Sequence, residues 1–303
     1  MKLYAPEYYR QFQCIADKCT HSCCIGWEID VDEEALSLYE KMEGGFGDEI
    51  RKSICYDENP HFALCVGDRC PHLEIGGLCK IIKTVGEEYL CSICREHPRF
   101  YNYTSLGKEV GLGMACEEAA RIILSSNGFG NLVEIGVTEG ETEEACFEAV
   151  EQRKVIFETL SNGKLSYSQK IKLIEERYNV TPSSFSDEEW REVILSLEYL
   201  NEEHKSLFLN YSSTASVDKA LEGYLLRALA YFVYRHCSEA CDGEEFSSAL
   251  GFSLFCEKLL ASVLSSHLVS DLKDVVKMAR IISEELEYSV DNTDFIKSKF
   301  EVE

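Results

Sequence analysis

Leu272, Val275, Val276 and Ala279 follow the i, i+3, i+4, i+7 spacing, and Ile282 and Leu286 continue it. That period predicts a helix with one buried face over residues 272–286. Upstream, Leu225, Leu226, Ala228, Leu229, Tyr231 and Phe232 leave almost no polar side. A helix following Ser216 and reaching Cys241 is expected there, placed centrally. Asp242-Gly243 breaks it before a further helical stretch, EEFSSALGFSLFCEKLLASVL. Ser186 with Glu189 three residues on predicts a capping box for DEEWREVILSLEYLNEEH, and residues 141–160 predict another helix. The second half of the chain therefore reads as an α-helical bundle.

The first 130 residues carry a different pattern. Four of the five prolines (Pro6, Pro60, Pro71, Pro98) lie there, with GGFG at 44–47 and GG at 76–77. Ile25, Trp27, Ile29 and Val31 alternate with Gly26, Glu28 and Asp30, a short strand-like period. Asp32 is placed to cap a helix through EEALSLYEKM, since its carboxylate can accept the free amides of a first turn. EEAARIIL after Cys116 predicts a short helix. No fixed-period repeat and no low-complexity linker is present. The expected fold is mainly α: a cysteine-rich metal-binding module of short elements (residues 1–130) docked on a C-terminal α-helical bundle (131–303), the two sharing one core.

Composition narrows the function. With 54 acidic and 30 basic side chains the net charge is −24. Nucleic-acid binding needs Lys and Arg to displace counterions from phosphates, and anionic membranes attract basic segments, so neither is an expected partner. An acidic field instead favours cationic partners, beyond its ordinary contribution to solubility. MKLYAPEYYRQFQC has no apolar signal-peptide core, and no run of uncharged apolar residues is long enough to span a bilayer. A cytoplasmic, reducing setting is expected.

That expectation gives the cysteines their meaning. Eleven of the fifteen lie in the first 116 residues. In a reducing compartment, clustered thiols bind metal more often than they form disulfides. Cys14, Cys19, Cys23 and Cys24 form the first group. Cys70 and Cys79 flank a loop with a Gly-Gly turn. Cys91 and Cys94 have the C-x2-C spacing that brings two sulfurs to one ion from a single turn. These eight thiolates are the candidate ligands. They would fill two four-cysteine zinc sites, or one iron–sulfur cluster with several thiols left over. Cys116 stands apart. His21, His72 and His97 are neighbours that could substitute, though ordinary loop histidines suffice. Cys55, Cys65, Cys146, Cys237, Cys241 and Cys256 read as plain buried thiols.

Three stretches carry a resemblance: Phe12, Cys14, Cys19, Cys23-Cys24 and Trp27; then Cys70-Pro71-His72-Leu73, Leu78-Cys79 and Ile81; then Gly86-Glu87-Glu88, Leu90-Cys91, Cys94-Arg95 and Pro98-Arg99. Together with Cys116-Glu117-Glu118 and the later Tyr231–His236, they resemble the flagellin lysine-N-methylase family, within the group named for a CxxCxxCC zinc- or iron-chelating motif. The resemblance implies a cytoplasmic enzyme that moves a methyl group from S-adenosylmethionine to lysines of flagellin, with an iron–sulfur cluster, 4Fe-4S in type, held by the cysteine motif. A non-enzymatic iron- or zinc-handling protein is the alternative, and an iron–sulfur redox protein a second.

The chemistry sets further expectations. A neutral lysine nitrogen attacks a sulfonium methyl directly, so positioning and loss of the ammonium proton are enough. A radical route would need C-x3-C-x2-C. Cys19-x3-Cys23 starts that spacing, but Gly26 stands where the third thiol belongs. Residues 132–140, LVEIGVTEG, mimic a glycine-rich nucleotide loop, yet Thr138 replaces a glycine and no strand–helix series follows. No S-adenosylmethionine pocket and no catalytic base is assigned from sequence. Tyr101 and Tyr103 could line a lysine pocket, with core tyrosines as the plainer reading.

Overall fold

The computed structural model describes residues 1–57, 59–140, 148–180, 185–267, 269 and 271–300. The fold is mainly α, and the chain divides into two compact units, residues 13–98 and residues 1–12 with 99–303. The second is continuous in space but not in sequence. Strand β1 (Lys2–Pro6) opens it, the chain departs after Phe12, and it returns at Arg99. The Arg99 guanidinium lies 5.8 Å from the Phe12 ring and its Nε donates to the Tyr9 hydroxyl at 2.9 Å.

Within residues 13–98 the elements are short: α1 (Glu33–Lys41), α2 (Gly45–Lys52), strands β2 (Ile54–Cys55) and β3 (His61–Phe62), α3 (Lys80–Val85) and α4 (Ser92–Glu96). Asp32 caps α1 as its position predicts, accepting from the Ala35 amide at 3.0 Å. The alternation at 25–31 survives in burial, with Ile29 and Val31 inside, but only as isolated bridges (Ile25 with Arg69, Asp30 with His61) rather than a ladder. This unit's core is small and its own: Ile29, Val31, Ala35, Tyr39, Ile50, Ile54, Phe62, Cys70, Ile81, Leu90 and Cys91.

The larger unit pairs a sheet with helices. β4 (Arg99–Thr104) and β5 (Gly107–Leu112) form a hairpin, β5 runs parallel to β1, and β6 (Leu132–Val137) closes the order β4-β5-β1-β6. These ladder bonds commit residues 99–137 to this unit, so the compact cysteine-rich region ends at Pro98. β6 is an antiparallel edge strand, which gives 132–140 no place in a nucleotide-binding strand–loop–helix.

Helices follow: α5 (Glu117–Ser125), α6 (Ala149–Ser161), α7 (Tyr167–Tyr178), α8 (Asp187–Ser196), α9 (Lys205–Phe208), α10 (Glu222–His236), α11 (Gly243–Ser266), α12 (Leu272–Glu287) and α13 (Val290–Lys297). The α8 capping box forms in full between Ser186 and Glu189. α10 starts at Glu222 rather than directly after Ser216 and ends at His236 rather than Cys241; ahead of it Asp218 closes a turn, its carboxylate accepting from the Ala220 amide at 2.8 Å. α11 is long and apolar enough to cross a membrane, but 89 % of its apolar window is buried inside the protein, as a core helix would be. Leu250, Leu254, Phe255, Leu259 and Leu260 on it have no exposed surface. Each such side chain contributes roughly 1.5–3 kcal/mol by leaving water. Arg153 of α6 makes two 2.8 Å bonds to Glu109 of β5, both side chains being buried, and so fastens sheet to helices.

Candidate metal centre

Four stretches of the small unit converge. The amide of Cys70 donates to the Cys24 carbonyl at 2.9 Å, and that of Gly26 to the Asp68 carbonyl at 2.9 Å, which fastens the vicinal cysteines beside the start of the 70–79 loop. Gly26 adopts φ +95°, a conformation that strains any residue with a β-carbon. The 70–79 loop folds back on itself, as its glycines predict. Glu74 N donates to Leu78 O, Gly77 N to Glu74 O and Lys80 N to His72 O, and Leu73 bridges to Cys79. Cys79 is the N-cap of α3 and Cys91 the N-cap of α4.

Electrostatics tie the thiols together. Cys70 feels the charge of Cys24, Cys79 and Cys91, and Cys94 that of Cys91, Cys24 and Cys70. Burial pushes the Cys70 thiol up to about 12. It also raises Cys79, against the Ile82 and Ile81 amides that favour its thiolate. Two pairs share protons. A hydrogen bond with Cys23 lowers Cys24 to about 7, and one from Cys94 lowers Cys91 while holding Cys94 protonated. Five thiols, with Cys23 joined to Cys24, therefore lie near enough that ionising one opposes ionising the others. A cation removes that opposition, because a coordinated thiol gives up its proton outright. Soft sulfur donors of this kind suit zinc or an iron–sulfur cluster.

The remaining candidates stand differently. Cys14 is exposed, and the Cys19 thiol donates to the His21 carbonyl at 2.7 Å. His72 is a core side chain: its ring meets Phe62 edge-on at 4.8 Å, its Nε2 lies 2.9 Å from the Ser53 hydroxyl, and burial lowers it to about 4. Cys116 caps α5 in the other unit. Of the thiols read as buried, Cys237 and Cys256 are, whereas Cys65 and Cys241 are exposed and Cys55 is half-buried. Cys146 lies outside the described residues. Tyr101 and Tyr103 are exposed on β4 rather than in the core, and Lys108 of β5 holds its ammonium 4.0 and 5.5 Å from their rings.

Two supporting residues carry no ligand signature in the sequence. Asp32 accepts from the Ser92 amide at 2.6 Å with its second oxygen, joining α1 to the turn that holds Cys91. Burial would raise its carboxyl, but the Ser92 and Ala35 amides outweigh that and hold it low. Tyr39, one turn beyond Ala35 on the buried face of α1, reaches Cys91 with its hydroxyl. Its spacing marks it as buried but gives no hint of the sulfur.

No family model and no solved structure matches the chain. Among curated proteins it is similar to the flagellar biosynthetic protein FliU of Salmonella muenchen, 26 % identical over 132 residues, which cover 40 % of this chain and 75 % of that protein. It is equally similar to the lysine-N-methylase of Salmonella typhimurium, 26 % over 132 residues, and to that of Salmonella choleraesuis. The match spans 32 % of the length of each methylase.

Proposed function

We propose that this protein is an S-adenosylmethionine-dependent lysine N-methyltransferase acting on flagellin or a flagellin-like surface protein, with an iron–sulfur centre in residues 13–98. The observation that carries the reading is the convergence of Cys24, Cys70, Cys79, Cys91 and Cys94 from separate stretches, in a chain similar to proteins named lysine-N-methylase. When bound, such a centre supplies a fixed anionic node that crosslinks loops which lack a large apolar core.

The transfer itself is polar. The lysine nitrogen lone pair forms the new bond to the methyl carbon, the carbon–sulfur bond breaks, and S-adenosylhomocysteine leaves with that electron pair. The amine must first lose a proton, since an unperturbed lysine titrates near 10.4. A net charge of −24 favours encounter with cationic groups such as lysines. The exposed rings of Tyr101 and Tyr103 on β4 are of the kind that binds an ammonium, as Lys108 does there.

Metal-loaded protein incubated with S-adenosylmethionine and flagellin should add methyl mass to flagellin lysines. Loaded protein that methylates neither flagellin nor any protein of a total lysate would end the methylase reading and favour metal handling.

A further inference from the structure

Tyr39 is fully buried, and its hydroxyl lies 2.7 Å from the Tyr89 carbonyl and 3.5 Å from the Cys91 sulfur. A carbonyl only accepts, so the one hydroxyl proton goes to Tyr89, and the Cys91 thiol gives its own proton to the tyrosine oxygen. The donors thus run from thiol to hydroxyl to carbonyl. A thiolate bound to metal has no proton to give. With Cys91 as a ligand, a single proton remains among the three groups, and it has two acceptors. One is a neutral carbonyl and the other a charged sulfur. Hydrogen bonds to ionised acceptors are the stronger kind.

We propose that Tyr39 is a positioning residue for Cys91: on loading, its hydroxyl turns from the Tyr89 carbonyl to the sulfur, fixes the ligand's orientation and draws electron density from it. The inference rests on the metal centre proposed above. The surroundings leave the hydroxyl as the part free to turn. The ring sits 6.2 Å from that of Phe62, the Arg51 guanidinium donates to the Tyr39 carbonyl, and Asp32 fastens the start of α1 to Ser92 beside Cys91. Outer partners of this kind orient metal ligands and tune the ion.

Wild type and Tyr39→Phe, reconstituted anaerobically with ferrous iron and sulfide, should be compared at equal iron content. Phenylalanine keeps the ring and removes only the oxygen. The loaded variant should release iron to a chelator about tenfold faster. Its thiolate-to-iron charge-transfer band should shift and its reduction potential become more negative. Band and potential are read per loaded molecule, so a general loosening of the fold would not move them. In wild type alone, loading should move a tyrosine C–O band in infrared difference spectra of ring-deuterated protein. An unmoved band there, or identical release, absorption and potential in the two proteins, overturns the role of Tyr39 and leaves the centre standing. A wild type that takes up no iron and sulfide brings down the centre, and Tyr39's role with it.

Discussion

Cys91 and Cys256 are buried alike, 1 % and 0 % exposed, yet they belong to different kinds of interior. Cys256 sits on α11 among the apolar residues of the helical unit, and burial drives its thiol well above the ordinary range. Cys91 sits in a core of eleven buried residues, two of them cysteines, where a hydrogen bond from Cys94 lowers it. Burial alone does not decide what a thiol is for; its polar neighbours do. The helical unit excludes water with hydrocarbon. The small unit has a much smaller core, and two of its buried side chains are cysteines.

The sharpest way to break this contrast is to remove the proposed metal. Chelation, or Cys91→Ser, should strip the centre and free the amides of α1 and α4 to exchange, while those of α10 and α11 stay protected. Coordination at structural zinc sites supplies on the order of 10 kcal/mol, so the loss should unfold residues 13–98. Unchanged exchange in α1 would show that the small apolar core suffices.

The reciprocal change is Trp190→Ala. Trp190 is fully buried, 4.4 Å from the Phe255 ring and 5.6 Å from that of Phe300. Its removal should cost the helical unit about 3–5 kcal/mol in denaturant unfolding and leave metal content untouched. A smaller test uses Glu257, which is fully buried on α11, with Tyr167 donating to one carboxyl oxygen while the other lacks a partner. Burial lifts it to about 7. Between about 4.5 and 7 the folded state keeps a proton that the unfolded chain has lost, so stability must fall as pH rises through that window and level off above it. Glu257→Gln should flatten the slope and stabilise the protein at pH 8 by up to about 3 kcal/mol. A slope that persists in the variant would place its source elsewhere. The smallest expected effect is that of Cys256→Ala: about 1 kcal/mol for one methyl-sized group, with no change in bound metal. Metal loss there would erase the distinction between the two interiors.

Local signals carried well from sequence to structure. The buried stripe of α12, the Ser186–Glu189 box, the Asp32 cap and the Gly76-Gly77 turn each depend on residues within a few positions of one another. Long-range choices did not. That Lys2–Pro6 pairs with strands more than a hundred residues away has no trace in local periodicity, so local pattern alone carries the cysteine-rich region on to 130. Spacing likewise places Cys14 and Cys19 beside Cys23 in sequence, and gives no sign that the Cys70 amide bonds the Cys24 carbonyl. Asp32 is legible as a cap because capping is local; the Ser92 amide that donates to its second oxygen, sixty residues away, is not.

The chain leaves the helical unit at Phe12 and re-enters it at Arg99, two residues that the same unit holds side by side. Residues 13–98 are therefore a cassette, spliced into a host whose two cut ends already meet. For a segment of that length, bringing free ends together costs on the order of 4 kcal/mol of chain entropy. Pairing of β1 and β4 within the host's sheet already brings those ends together. Replacing it with a short turn should therefore leave the host's topology intact, which the circular-dichroism spectrum of the shortened chain would check.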